Sequence, residues 1–221
     1  MEDKELRKAL EEAFFKDYGY TEKQMQEVMD FIKESFGDEG QEEKYILHEL
    51  ESEYVHTDVV MPEGEDYKFF ATCGMGARVM PNCKVFIDKA YERIELYFSL
   101  SKEYKPTLEE VGLLGGELQR ISKYPFRENT FLGPGHTINV SKQFKEKFGY
   151  DYFVFLGGTI STCVEDLGEV YFMGLIPIYE EERNWMVEHN SFEWLIEFFN
   201  SHDDENIVVD KKREVFIPNE K

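Results

Sequence analysis

The spacing of apolar side chains divides the chain into a helical first third and a strand-rich remainder. Leu6, Leu10, Ala13 and Phe14 share one helical face. A second helix opens at Thr21, with Gln24 three positions on in a capping-box pairing. Its apolar set, Met25, Val28, Met29, Ile32 and Phe36, keeps three- and four-residue spacing until Gly37. Strand character follows at 55–61, 67–73 and 92–100. In the last of these Ile94, Leu96, Phe98 and Leu100 alternate with Glu95, Tyr97 and Ser99, which predicts burial on one face only. Thr107 and Glu110 cap a further helix with Val111, Leu114, Leu118 and Ile121 on one face. Gly112, Gly115 and Gly116 each weaken it by about 1 kcal/mol relative to Ala, and they suit a close approach to a sheet. Apolar runs at 152–156 and 170–176 read as buried strands, the second ending at Pro177. Segments 180–187 and 192–199 predict a helix pair with Trp185, Trp194, Leu195, Phe198 and Phe199 in the core. Ile207–Val209 and Glu214–Ile217, around the charged 210–213 turn, predict a final hairpin. Helices flanking a mixed, mainly antiparallel sheet make the fold α+β. Residues 1–40 are read as N-terminal helices packed on a domain formed by residues 41–221.

Composition narrows the function classes. The chain has 221 residues, of which 42% are hydrophobic and 15% aromatic, too apolar for a disordered segment. Its 25 Lys and Arg face 46 Asp and Glu, a formal charge of −21. Phosphate backbones are repelled by such a surface, so nucleic acid is not an expected partner. A basic protein is, because a strong negative field accelerates association with positive surfaces. Residues 1–53 carry 17 acidic and 7 basic side chains, nearly half of the excess. The first residues lack the apolar stretch of a signal peptide and no stretch is long and uncharged enough to span a bilayer, so a cytoplasmic protein without membrane contact is expected. Cys73, Cys83 and Cys163 are odd in number and widely spaced, as expected of reduced thiols in the core or on strands.

Catalytic patterns are sparse. His48, His56, His136, His189 and His202 form no metal-ligand spacing, so no metal or cofactor is expected. Gly74-Met75-Gly76 and Gly133-Pro134-Gly135 read as turns, since neither continues into a phosphate-binding motif. Cys73 or Cys163 with His136 could pair as nucleophile and base, but no basic surroundings mark either thiol as activated. Glu180-Glu181-Glu182 reads as a solvated helix N-terminus rather than a carboxylate pair. Aromatic-rich strands and an acidic exterior suit recognition of an extended peptide along a strand edge.

Specific segments resemble the suppressor-of-fused family. Tyr54-Val55-His56-Thr57-Asp58-Val59-Val60-Met61-Pro62 and Tyr67-Lys68-Phe69-Phe70-Ala71-Thr72-Cys73-Gly74-Met75-Gly76 are similar to its His-x-Asp strand and the strand ending in a Gly-Met turn. Leu118–Pro125 resembles its helix ending in an aromatic-Pro step, and Asn129–Ile138 its Gly-His-Thr turn. Val170–Glu182 resembles its apolar strand and Glu-rich helix start. Where the family often carries an acidic residue after the Gly-Met turn, this chain has Gly76-Ala77-Arg78. The resemblance spans residues 43–199 and implies an α+β fold, no catalytic activity and protein binding. Animal relatives bind transcription factors of the Hedgehog pathway, holding a peptide as an added strand, whereas compact bacterial relatives are proposed as immunity proteins against polymorphic toxins. The sequence has no counterpart of the animal protein's additional C-terminal domain, so neutralisation of a basic toxin is the expectation. The groove so implied is formed by Phe70, Thr72 and Met75 on one side and Tyr171 and Met173 on the other. The alternatives are a hydrolase or nucleotide-dependent enzyme using His136 and its glycine turn, and a constitutive scaffold.

Overall fold

The computed structural model describes residues 19–37, 46–49, 54–83, 91–158, 160–201 and 207–218. The predicted helix bearing Leu6, Leu10, Ala13 and Phe14 lies outside them, as does His202. Eight strands form one sheet: β1 (Ile46–Leu47), β2 (Asp58–Val60), β3 (Tyr67–Cys73), β4 (Ile94–Ser101), β5 (Thr137–Asn139), β6 (Tyr152–Leu156), β7 (Ser161–Val164) and β8 (Gly168–Ile178). The order is β1-β2-β3-β4-β8-β6-β5, with β7 also paired to β8. Only β4 and β8 run parallel, so the α+β, mainly antiparallel expectation holds.

Helices cover both faces. α1 (Glu22–Phe36) and α2 (Leu108–Arg127) open on capping boxes, with Thr21 and Thr107 accepting from the N–H groups of Gln24 and Glu110. α3 (Lys142–Phe148) ends on Gly149 in the left-handed conformation, and α4 (Glu180–Glu188) and α5 (Ser191–Ser201) follow β8. Val28, Ile32 and Phe36 of α1 pack with Ala71, Cys73 and Phe172 on one face. On the same face further along, Trp194, Leu195 and Phe198 of α5 pack with Val154, Ile176 and Ile178. Leu114, Leu118 and Ile121 of α2 and Phe144 of α3 join Phe98, Phe153 and Leu175 on the opposite face.

This layering corrects the one-sided reading of β4. Glu95 is fully buried and Ser99 is nearly so, because α1 covers the face that the alternation assigned to solvent. Of the helical glycines, only Gly115 meets a neighbour closely: a Cβ there would stand 2.3 Å from Cδ2 of Leu47, while Gly112 and Gly116 face open space. Pro125 lies inside α2 rather than at its end. Of the aromatic core candidates, Trp194 and Phe198 are buried, Trp185 packs partly against them and Phe199 is exposed.

β6 and β7 run end to end along one edge of β8, the first pairing Tyr152 to Leu156 with Ile178 to Gly174 and the second Ser161 to Val164 with Tyr171 to Gly168. Between them the chain bulges at Gly158, where a Cβ would lie 2.2 Å from the Phe172 carbonyl oxygen. β8 also passes through Pro177 without ending. The N–H and C=O of Phe155 bond towards β5, to the His136 carbonyl and the Gly135 N–H. Residues of that parity on β6 therefore turn their backbone away from β8. Their β8 partners, Leu175 and Pro177, turn theirs away from β6. The N–H that proline lacks is thus no loss to the ladder.

Candidate functional site

The sheet is open at its centre. β4 and β8 pair from Ile94↔Tyr171 to Tyr97↔Gly174, and the pairing stops there although β4 continues to Ser101 and β8 to Ile178. Residues 207–213 lie along the gap. The Val209 N–H donates to the Ser99 carbonyl at 3.0 Å, and the Ser101 N–H donates to Asp210 Oδ1 at 2.7 Å. The Ser101 hydroxyl donates to the other Asp210 oxygen. On the β8 side, Nη2 of Arg213 donates to the Pro177 carbonyl at 3.0 Å. Val208 and Val209 are buried, and Val209 joins the core cluster of Phe98 and Leu100. Residues 207–218 contain no strand: the chain turns at Val209–Asp210 and bends at Lys211, close to the charged turn expected there, but its two arms do not pair as a hairpin and are held by the body of the fold instead. Of the segment's apolar residues, Val209 bonds to β4, and Phe216 bonds to Glu182 and Trp194.

The segment is anchored at Arg213, whose side chain is 4% exposed and forms a two-pronged ion pair with the fully buried Glu182. Its guanidinium carbon lies 4.7 Å from the ring centre of Phe198, 5.4 Å from Tyr179, 5.9 Å from Trp194 and 6.0 Å from Tyr150. Burial raises the Tyr150 hydroxyl pKa, and that hydroxyl donates to the Lys211 carbonyl. The Tyr179 hydroxyl donates to the Arg213 carbonyl at 2.8 Å, and Nε1 of Trp194 to the Phe216 carbonyl at 3.0 Å. Glu182 also accepts from the Tyr179 N–H at 2.8 Å and the Phe216 N–H at 2.7 Å. The expectation of a solvated Glu180-Glu181-Glu182 run therefore holds for the first two and fails at Glu182, where the helix turn points the carboxylate inward.

A second polar cluster sits where β3 and β4 part, beyond Ala71↔Tyr97. Oε1 of Glu95 accepts from the Tyr20 hydroxyl at 2.8 Å and from the N–H groups of Gly74 and Gly76 at 2.9 and 3.0 Å. Oε2 accepts from the Thr72 hydroxyl at 2.5 Å, whose oxygen accepts in turn from the Leu96 N–H at 2.8 Å. Burial raises the Glu95 pKa, and the hydrogen bonds oppose that rise. Gly74 is required here, with φ at +141° and no room for a Cβ beside the His56 carbonyl. On β2, Asp58 pairs with His48 and His56 at 3.0 and 3.1 Å, and no group of three or more ligating side chains among the described residues is arranged to hold a metal ion.

The five residues expected to line a groove are placed unequally. Phe70, Thr72, Met75 and Met173 are buried, and Tyr171 is half-buried with its ring 5.2 Å from that of Tyr91. Phe70, Met75 and Met173 belong to the same core cluster as Val209. The thiol–imidazole pairing finds no support. Cys73 on β3 and His136 beside β5 are four strand positions apart in the sheet order, roughly 19 Å at the usual spacing. Cys163 is exposed at the far end of the β6–β7 line. His136 lies at its turn with its ring 5.1 Å from that of Phe131. The sequence reading missed Glu95, Glu182, Arg213 and the inserted segment. The signal for the last was present in Val208-Val209 and Arg213, but it was assigned to a local pairing.

Taken together, these features define an α+β domain on one mixed sheet, whose central gap is filled by the chain's own terminal segment. Residues 53–214 match the family described as Suppressor of fused protein (SUFU), and the chain belongs to that family. The structure is similar to that of the Sufu–Fu complex, with a TM-score of 0.63 and 12% identity over 87% of this chain and 92% of that one. It is also similar to Drosophila Suppressor of Fused, with a TM-score of 0.52 and 14% identity over 72% of this chain, which spans 43% of the Drosophila chain. At these identities the likeness is one of fold. No curated protein sequence matches the chain.

Proposed function

We propose that this chain is a non-catalytic protein-binding domain that takes an extended segment of its partner into the gap between β4 and β8. The observation that carries the reading is the Val209-to-Ser99 hydrogen bond, with the side-chain bonds of Asp210 and Arg213 around it: the gap already holds a segment of chain, in cis. Backbone left unpaired between β4 and β8 beyond Tyr97↔Gly174 can give affinity through main-chain bonds, with selectivity from the side chains of the bound segment. A similar protein of this fold is known in complex with Fu, which supports a protein as partner. The formal charge of −21 supports a basic one, and a toxin domain neutralised by this chain as its immunity protein is the finer form of the proposal. Three free cysteines support a reducing compartment, the cytoplasm.

The test locks the gap. With Ser101→Cys and Asp210→Cys, whose side chains meet across the gap in a hydrogen bond, oxidation should staple the segment in place. A toxin domain encoded beside this chain should bind the reduced double variant and not the oxidised one, and co-expression of the unmodified chain should rescue growth. Equal binding by the oxidised and reduced forms would move the interface away from the gap.

A further inference from the structure

The cage around Arg213 is built by the body of the fold and not by the segment it holds. Tyr150 precedes β6, Tyr179 follows β8, and Trp194 and Phe198 come from α5. The rings pack on one another, with Tyr150 4.9 Å from Tyr179 and Trp194 4.6 Å from Phe198. Glu182 is held independently by the Tyr179 N–H in the first turn of α4, where the helix favours negative charge. The four rings and the carboxylate that face the guanidinium thus all come from outside the segment, and aromatic faces over a buried carboxylate suit a planar cation. The guest makes use of the geometry: both terminal nitrogens meet Glu182, Nη2 also reaches the Pro177 carbonyl and Nη1 the Glu214 carbonyl at 3.0 Å. Of its donors Nε alone lacks a hydrogen-bond partner. A lysine ammonium is a point charge and cannot satisfy a two-pronged carboxylate while lying flat on aromatic faces.

We propose that this cage is a guanidinium-reading subsite. The inference rests on the gap being the partner's site. The partner's segment then carries an arginine four positions after a buried aliphatic residue, matching Arg213 and Val209, and the chain's own Arg213 holds the place until it is exchanged. An acidic domain that selects basic partners by its field thereby selects one arginine among their cations by shape.

The experiment uses the full chain with a protease site inserted after Ser201 and cleaved once the protein has folded, leaving the terminal segment held by its own contacts. A fluorescein-labelled peptide of residues 207–218 is offered and its uptake followed by anisotropy. Unlabelled peptides compete, carrying Arg213, Arg213→Lys or citrulline at position 213. The arginine peptide should compete best, the lysine peptide should need about 30-fold more and the neutral citrulline peptide on the order of 100-fold more. Glu182→Gln in the body should collapse these differences. Equal competition by all three peptides would overturn the arginine subsite while leaving the gap as a binding site. Unfolding on cleavage, or a folded cut chain that takes up no peptide, would overturn both.

Discussion

Replacement of Glu95 tests whether a buried carboxylate can serve as backbone. In Glu95→Leu the Gly74 and Gly76 N–H groups and the Tyr20 hydroxyl lose their common acceptor, and all three are buried. Each stranded buried donor costs about 1–3 kcal/mol, and relief of the desolvated carboxylate offsets part of the sum, so a net loss of roughly 3–6 kcal/mol is expected. That is a large share of the 5–15 kcal/mol typical of a whole domain, on the order of half. Glu95→Gln keeps an oxygen for the three donors, and its new N–H₂ faces the Thr72 hydroxyl oxygen, which has a second lone pair beyond the one used by the Leu96 N–H. Its cost should be about 1 kcal/mol or less. The pH response separates the variants further. Because the folded pKa is raised, the native state retains a proton that the unfolded chain has released, and this contribution to stability falls as pH rises from the unfolded value through the folded one. Urea midpoints between pH 4 and 8 should therefore show wild type losing stability relative to Glu95→Gln across that window. A Leu variant within about 1 kcal/mol of wild type, or a Gln variant with the wild-type pH slope, would refute the reasoning.

Glu110 should behave with the opposite sign: the Lys147 ammonium and the Thr107 N–H hold its pKa down at about 2, so its contribution is present above the ordinary carboxylate range and is lost as pH falls towards that value. Melting temperatures from pH 5 to 2 should fall less steeply in Glu110→Gln than in wild type, and parallel curves would count against the pairing. Gly74→Ala would place a Cβ 2.0 Å from the His56 carbonyl at a positive φ and should cost upwards of about 3 kcal/mol, whereas Gly112→Ala, in open space on α2, should gain about 0.5–1 kcal/mol; denaturant midpoints that rank the two in reverse would contradict this. A thiol reagent should label exposed Cys163 in the native protein and reach Cys73 and Cys83 only on unfolding, and three thiols reacting at one rate would sink that assignment.

Local signals carried much of the fold. Capping boxes at Thr21 and Thr107 and the apolar runs at 67–73 and 152–156 led to elements in the expected places, because each is decided within a few residues. What failed depended on partners distant in sequence. Glu95 reads as a solvent-facing position until α1 is laid over it, and Pro177 reads as a stop until its absent N–H is found to face the gap. The terminal segment was read as a hairpin about a charged turn; the chain does turn there, but Val209 bonds to Ser99, over a hundred positions away, and no short-range pattern encodes that. The candidate site was legible only as a family likeness, and four of the five residues it named, Phe70, Thr72, Met75 and Met173, are buried.

The parallel β4–β8 pair also sets an order of events. Ile94 meets Tyr171 across about 77 positions, a closure whose entropic cost must be met before any contact repays it, whereas β2–β3 and the β7–β8 hairpin close over short loops. Two half-sheets, β1 to β4 and β5 to β8, are thus expected to form first and to join late along four residue pairs. Until the terminal segment arrives, that seam is narrow, and the halves can separate along it more readily than either can melt.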